Sequence, residues 1–216
     1  MKIIDLDHKS TWPAELIVWL KNHQSTQEVE NDSESFFALT SDWYLKAYHA
    51  TRLLDEEVND ILQTGIQCLD RNLIKKKYLY ASNYLPDTVA TKITQEALFA
   101  DESRTGQLHF LLTDAPFRMA TQPLYPFLEN WGGESIYYSP VGGLKIGIPA
   151  IVCFAVSFGK DIFAMPSLPK LFYSACQGPV DVPTTRIGKD IPPSQVLAVY
   201  TVNSGFYSRY PYLSRD

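Results

Sequence analysis

The chain has 216 residues, 45% of them apolar and 20% charged, a balance that excludes wholesale disorder and suits a soluble globular protein. Nineteen Lys and Arg against 24 Asp and Glu leave a net charge of −5, which argues against a broad nucleic-acid-binding face. Three cysteines, Cys68, Cys153 and Cys176, without CxxC spacing, speak against a disulfide framework or a Cys-rich zinc site and fit a reduced, cytoplasmic setting.

In chain order, the opening residues alternate Ile and Leu with Asp and Lys, without the apolar run of a secretory signal. Residues 10–24 predict a short amphipathic helix, capped by Ser10 or Thr11, with Pro13 in its first turn and Leu16, Ile17 and Leu20 on one side. Residues 24–35 are polar and acidic and predict an exposed loop. Together, residues 1–40 read as an N-terminal helical appendage and loop on a single core spanning 41–216.

Aromatic residues between 42 and 48 (Trp43, Tyr44, Tyr48) predict a strand. A helix follows: Asp55 is its expected cap, and Glu56 and Glu57 occupy the first turn, where carboxylates complement the exposed amides. Leu54, Val58, Ile61 and Leu62 form its predicted buried stripe, and Gly65 ends it. Further helices are expected over 69–80 and 86–100, and strands over 107–113, 134–138, 151–158 and 196–202. Residues 167–176 suit a short helix, and 179–193, rich in Pro, Gly and Thr, a long loop. The longest apolar stretch, residues 148–158, is about half the length needed to span a bilayer and contains Pro149. It reads as a buried strand, and no membrane partner is expected. The mixture is α+β.

Several chemistries lack their motif. There is no GxxxxGK[ST] phosphate loop, no GxGxxG turn, no HExxH and no GxSxG. The four histidines, His8, His23, His49 and His109, lack metal-ligand spacing, so no metal is expected.

The sharpest local feature is Tyr48-His49-Ala50-Thr51-Arg52, which predicts an imidazole at a strand end beside a capped helix. A neutral imidazole donates from one nitrogen and accepts at the other, which suits recognition of a ribose hydroxyl, and Thr51 is placed to support it. The same histidine also fits a purely structural role, bonded to nearby backbone.

Tyr-His-Ala-Thr, followed by a helix of the form Glu-Val-x-x-Ile-Leu-x-x-Gly-Ile, resembles the opening motif of the diphtheria-toxin and poly(ADP-ribose) polymerase class of ADP-ribosyltransferases. The resemblance implies a split mixed or antiparallel β-sheet with flanking helices. It also implies NAD⁺ as substrate and a toxin-like glycosyltransferase activity on a protein or nucleic-acid acceptor. His49 would contact the nicotinamide ribose and the backbone of Ala50 the carboxamide, with Thr51 and Arg52 completing the site. Ala50 stands where the family commonly has Gly, which would add a methyl beside the nicotinamide.

The family's second element, a strand opening with Gly and carrying a stacking Tyr, is matched in part by Gly106-Gln107-Leu108-His109-Phe110. His109 or Phe110 would supply the ring; Phe110 reads as core, and for His109 both roles stay open. The third is a strand-borne catalytic carboxylate, matched by Glu134 in Trp131-Gly132-Gly133-Glu134. Near the ribose it would stabilise oxocarbenium-like charge and help deprotonate the acceptor. A surface Glu entering a strand from a Gly-Gly turn is its bland counterpart. Two other function classes fit the same residues. One is a non-catalytic binding or inhibitor protein on this fold. The other is an RNA 2′-phosphotransferase-like enzyme in which Arg52 and Arg104 grip phosphates. Lys75-Lys76-Lys77 reads as a solvated helix face, the 206–212 tail as packing on the sheet, and Cys153 as an inert core thiol.

Overall fold

A computed structural model describes residues 1–89, 91, 104–118, 128, 131, 144–178, 180, 184–201 and 210. Its strands are β1 (Ile3–Ile4), β2 (Tyr44–Leu53), β3 (Leu108–Phe110), β4 (Ile148–Ser157), β5 (Phe163–Met165), β6 (Thr184–Ile187) and β7 (Val196–Thr201). They form a mixed four-stranded sheet, β1-β2-β4-β7, and an antiparallel three-stranded sheet, β3-β6-β5. The helices α1 (Ala14–Asn22), α2 (Thr26–Asn31), α3 (Ser33–Thr40), α4 (Asp55–Thr64), α5 (Arg71–Ala81) and the helix Leu168–Gln177 flank them. The chain is thus α+β.

Period-two alternation sorts the central strands between two cores. Leu45, Ala47 and Leu53 of β2 and Ala150, Val152, Phe154 and Val156 of β4 face the main core. Tyr48 of β2 and Ile151 and Cys153 of β4 face a second core with Phe117 and Tyr210. The first 40 residues supply Ile4, Trp12, Leu16, Leu20 and Phe36 to the main core. There Phe36, Phe158 and Phe172 lie within 6.0 Å of one another, centroid to centroid, in tilted and edge-on contacts. Phe110 is core as expected, edge-on to Phe154.

Four expectations need correction. Residues 24–35 are not a loop. Ser25 accepts from the Glu28 amide and caps α2, and α3 begins at Ser33; each helix buries an apolar residue, Val29 and Phe36. Residues 179–193 are not all loop: β6 lies within them and is the central strand of the smaller sheet, paired with β3 on one side and β5 on the other. The strand predicted for 42–48 runs on to Leu53, which places His49 inside it. Leu62 is 53% exposed and leaves the α4 stripe, which buries Leu54 and partly Val58 and Ile61. The Gly65 stop stands: its φ is +88°, and a β-carbon there would meet the Ile191 carbonyl oxygen at 2.0 Å. Of the predicted helix 86–100, residues 87–89 and 91 are helical, and residues 90 and 92–100, like the strand predicted for 134–138, lie outside the described residues.

Among the described residues, the backbones of the two sheets are bridged at one pair. Tyr48 and Leu111 exchange both backbone hydrogen bonds at 2.8 Å, after which β2 and β3 part.

Candidate active site

Where β2 and β3 part, a cleft of about 180 Å³ opens, walled by β2, α4, α5 and the 104–109 segment. His49, Thr51 and Leu53 reach it from β2 because they share the odd-numbered face of that strand. Glu57, Asp60 and Ile61 enter from α4, Leu73, Lys76, Lys77 and Tyr80 from α5, and His109 from β3.

His49 is fixed by one bond. Its Nδ1 lies 2.9 Å from the carbonyl oxygen of His109. A carbonyl only accepts, so Nδ1 carries the proton, and in the neutral ring Nε2 is left as an acceptor. Burial holds the imidazole below its ordinary pKa; the His109 carbonyl opposes this, while Lys77 and the His109 ring add to it. His49 is therefore neutral at neutral pH. The structural role foreseen for it is real, and it occupies one nitrogen.

The backbone of Ala50 is the less obvious feature. Hydrogen bonding along β2 alternates in direction: Trp43 accepts from Phe158 on the β4 side, whereas Tyr44 donates to Lys2 and Tyr48 pairs with Leu111 on the other. By that alternation the N–H and C=O of Ala50 face away from β4, toward the edge that β3 has vacated. No described residue bonds to either group. A continued ladder would have paired Ala50 with His109, whose carbonyl is held by the His49 side chain instead.

The remaining expected residues are placed as follows. The Ala50 methyl packs into the second core, so it does not stand in the cleft. Thr51 is buried on the cleft face, and its hydroxyl donates to the Arg52 carbonyl rather than to the imidazole. The Arg52 guanidinium donates to the backbone carbonyls of Leu128, Ile146 and Gly147 and does not line the cleft. His109 lines it, and its carbonyl orients His49. Glu134 lies outside the described residues.

Sequence reading missed the helical wall. Glu57 is buried, accepting from the Leu54 amide at 2.8 Å and the Trp131 indole at 2.6 Å, and it pairs with Lys77. Asp60 pairs with Lys76 at 2.6 Å and accepts from the Tyr80 hydroxyl at 2.8 Å. Lys76 and Lys77 are thus half-buried and ion-paired, and only Lys75 of the lysine run matches the solvated face expected for it. The signal was there: Glu57 and Asp60, Lys77 and Tyr80, and Lys76 and Tyr80 stand at helical spacings of three, three and four residues.

Among the described residues, no group of three or more His, Cys, Asp or Glu is placed to hold a metal ion, and no helix is long and apolar enough to cross a membrane. Burial, helped by Asp190, pushes the Cys68 thiol up to about 11, away from thiolate chemistry. Comparison with protein-family models, with curated proteins and with solved structures gives no match.

Proposed function

We propose that the cleft binds NAD⁺ and that the protein is an ADP-ribosyltransferase of the split-sheet kind, acting on a protein or nucleic-acid acceptor. The observation that carries this reading is the pairing of two recognition elements on adjacent residues. Ala50 offers a free N–H and C=O on one strand edge, a donor and acceptor matching a primary carboxamide, and His49 Nε2 offers an acceptor to a ribose hydroxyl. The order of elements supports it too: strand, capped helix, left-handed Gly65, then a strand bearing His109 at the cleft.

In this reading His49 anchors the ribose and does not itself transfer a proton. Cleavage of the nicotinamide–ribose bond builds positive charge on the sugar. Glu134 is the carboxylate proposed to stabilise that charge and to orient the 2′-hydroxyl. His109 or Tyr80 supplies an aromatic wall; the Tyr80 hydroxyl is already held by Asp60. Arg52, engaged by three carbonyls, supports the strand from behind and not a phosphate, whereas Arg104, the other arginine of the RNA-end reading, lines the cleft.

Glu134→Gln tests the chemistry, because it removes charge at nearly constant size. NAD⁺ affinity should be nearly unchanged, while nicotinamide release or ADP-ribose transfer to lysate proteins falls about 10²–10³-fold. NAD⁺ binding by a wild type that shows no turnover would replace the enzyme with a binding protein on the same fold.

A further inference from the structure

The β2–β3 ladder stops in a place where nothing in the backbone requires it to stop. Tyr48 and Leu111 form a hydrogen-bonded antiparallel pair with both bonds at 2.8 Å. In such a ladder the next hydrogen-bonded pair lies two residues along each strand, which is Ala50 opposite His109. Both residues are extended, neither is Pro or Gly, and no bulge intervenes. Two bonds would form there, Ala50 N–H to the His109 carbonyl and His109 N–H to the Ala50 carbonyl. The His109 carbonyl is instead bonded, at 2.9 Å, to Nδ1 of His49.

We propose that the His49 imidazole is a wedge: by taking the His109 carbonyl in place of the Ala50 amide, it keeps β2 and β3 apart and the Ala50 N–H and C=O open. The wedge is a property of the free protein. The carboxamide that the open groups receive belongs to the function proposed above, and that half rests on that reading.

The physical ground is competition for the approach to one carbonyl: its oxygen has two lone pairs, but a ring bonded to it from β2 takes the space through which the Ala50 amide would come. An unmade backbone hydrogen bond in a partly buried position is costly, so an open amide and carbonyl at a strand edge persist only if something else occupies the partner. The imidazole does this with a side chain already committed to the cleft face. His49 then has two separable roles. Nδ1 holds the strands apart, and Nε2 faces the ligand. A substitution of His49 would remove ligand recognition twice, by loss of the acceptor and by closure of the neighbouring amide.

Amide hydrogen exchange of the free protein, followed by NMR without any nucleotide, tests this. In the wild type the Ala50 amide should exchange about a hundredfold or more faster than those of Tyr48 and Leu111, which are bonded to each other. In His49→Ala the Ala50 amide should slow toward the Tyr48 value, as it takes the vacated carbonyl. In His49→Gln, whose side-chain amide can still donate to that carbonyl, it should stay fast. An Ala50 amide as protected as Tyr48 in the wild type overturns the proposal, and this arm stands even if His49→Ala does not fold. An Ala50 amide that stays fast in a folded His49→Ala protein overturns it as well. Fast exchange at Ala50 in a wild type that fails to bind NAD⁺ supports the wedge and sinks only the functional reading.

Discussion

The indole N–H of Trp131 donates to the Glu57 carboxylate at 2.6 Å, tying a residue of the 131–144 bridge to the helix that walls the cleft. Glu57 is 4% exposed and collects three donors: that indole, the Leu54 amide at the start of α4, and Lys77 from α5. One carboxylate thus joins three segments that are distant in sequence. It lines the cleft with both oxygens already engaged, which holds the wall in place.

Glu57→Ala should therefore destabilise the protein by about 3–5 kcal/mol, because it leaves Lys77 half-buried without its counter-charge and the indole N–H without an acceptor. Glu57→Gln keeps an acceptor oxygen and should cost less. Urea denaturation midpoints for both variants check this. Equal midpoints for wild type and Glu57→Ala would show that the three donors find other partners.

Gly65 should tolerate no side chain. Its φ of +88° and the 2.0 Å approach of an added β-carbon to the Ile191 oxygen act together. A φ of +88° with a ψ of −167° is backbone that essentially only glycine adopts, costing another residue about 1–3 kcal/mol, and the backbone clash adds to it. Gly65→Ala should also loosen the Ile66–Ile191 bridge, whose two bonds are 2.8 Å long. Thermal unfolding reports the first effect and exchange of the Ile66 amide the second; a variant with native melting temperature would contradict both.

Stability should depend on pH through His49. Burial lowers its folded pKa below the ordinary 6.5, with the Lys77 and His109 charges acting in the same direction. The unfolded chain thus takes up a proton that the folded chain resists. This contribution is fully present above pH 6.5 and is lost as pH falls through 6.5 toward the lowered folded value. His49→Gln does not titrate, so its stability should fall less than the wild type's over that window. Parallel curves for the two proteins would mean that the imidazole titrates as freely as in an unfolded chain.

Much of this arrangement was legible in local sequence. Trp43, Tyr44 and Tyr48 marked β2, and Glu56, Glu57 and the Gly65 stop bracketed α4, because helix ends are local physics; the cap itself lies one residue before the expected Asp55, at Leu54. The Ser25-x-x-Glu28 signature of a helix start lay inside the stretch taken as a loop. Its polarity outweighed a single buried Val29, which only the tertiary fold reveals. β6 was hidden for a different reason. A four-residue strand between Pro- and Gly-rich segments has no periodicity of its own, and it exists by pairing with Leu108, Phe110 and β5. The candidate site divides the same way. His49 and His109 could be named from motif, but the bond between them, the stranded Ala50 amide and the Glu57–Trp131 tie join residues 60 and 74 positions apart. No window of sequence contains them.

The central claim is that NAD⁺ sits where β2 and β3 part, and titration of the isotope-labelled protein with NAD⁺ tests it most directly. Amide resonances of His49, Ala50, Thr51 and His109 should shift together and saturate, with Ala50 moving most because its N–H gains a partner. The melting temperature should rise over the same concentrations by mass action. Nicotinamide alone should reproduce the Ala50 shift. Saturation with shifts confined to residues outside the cleft, or no shift at millimolar NAD⁺, would contradict the account.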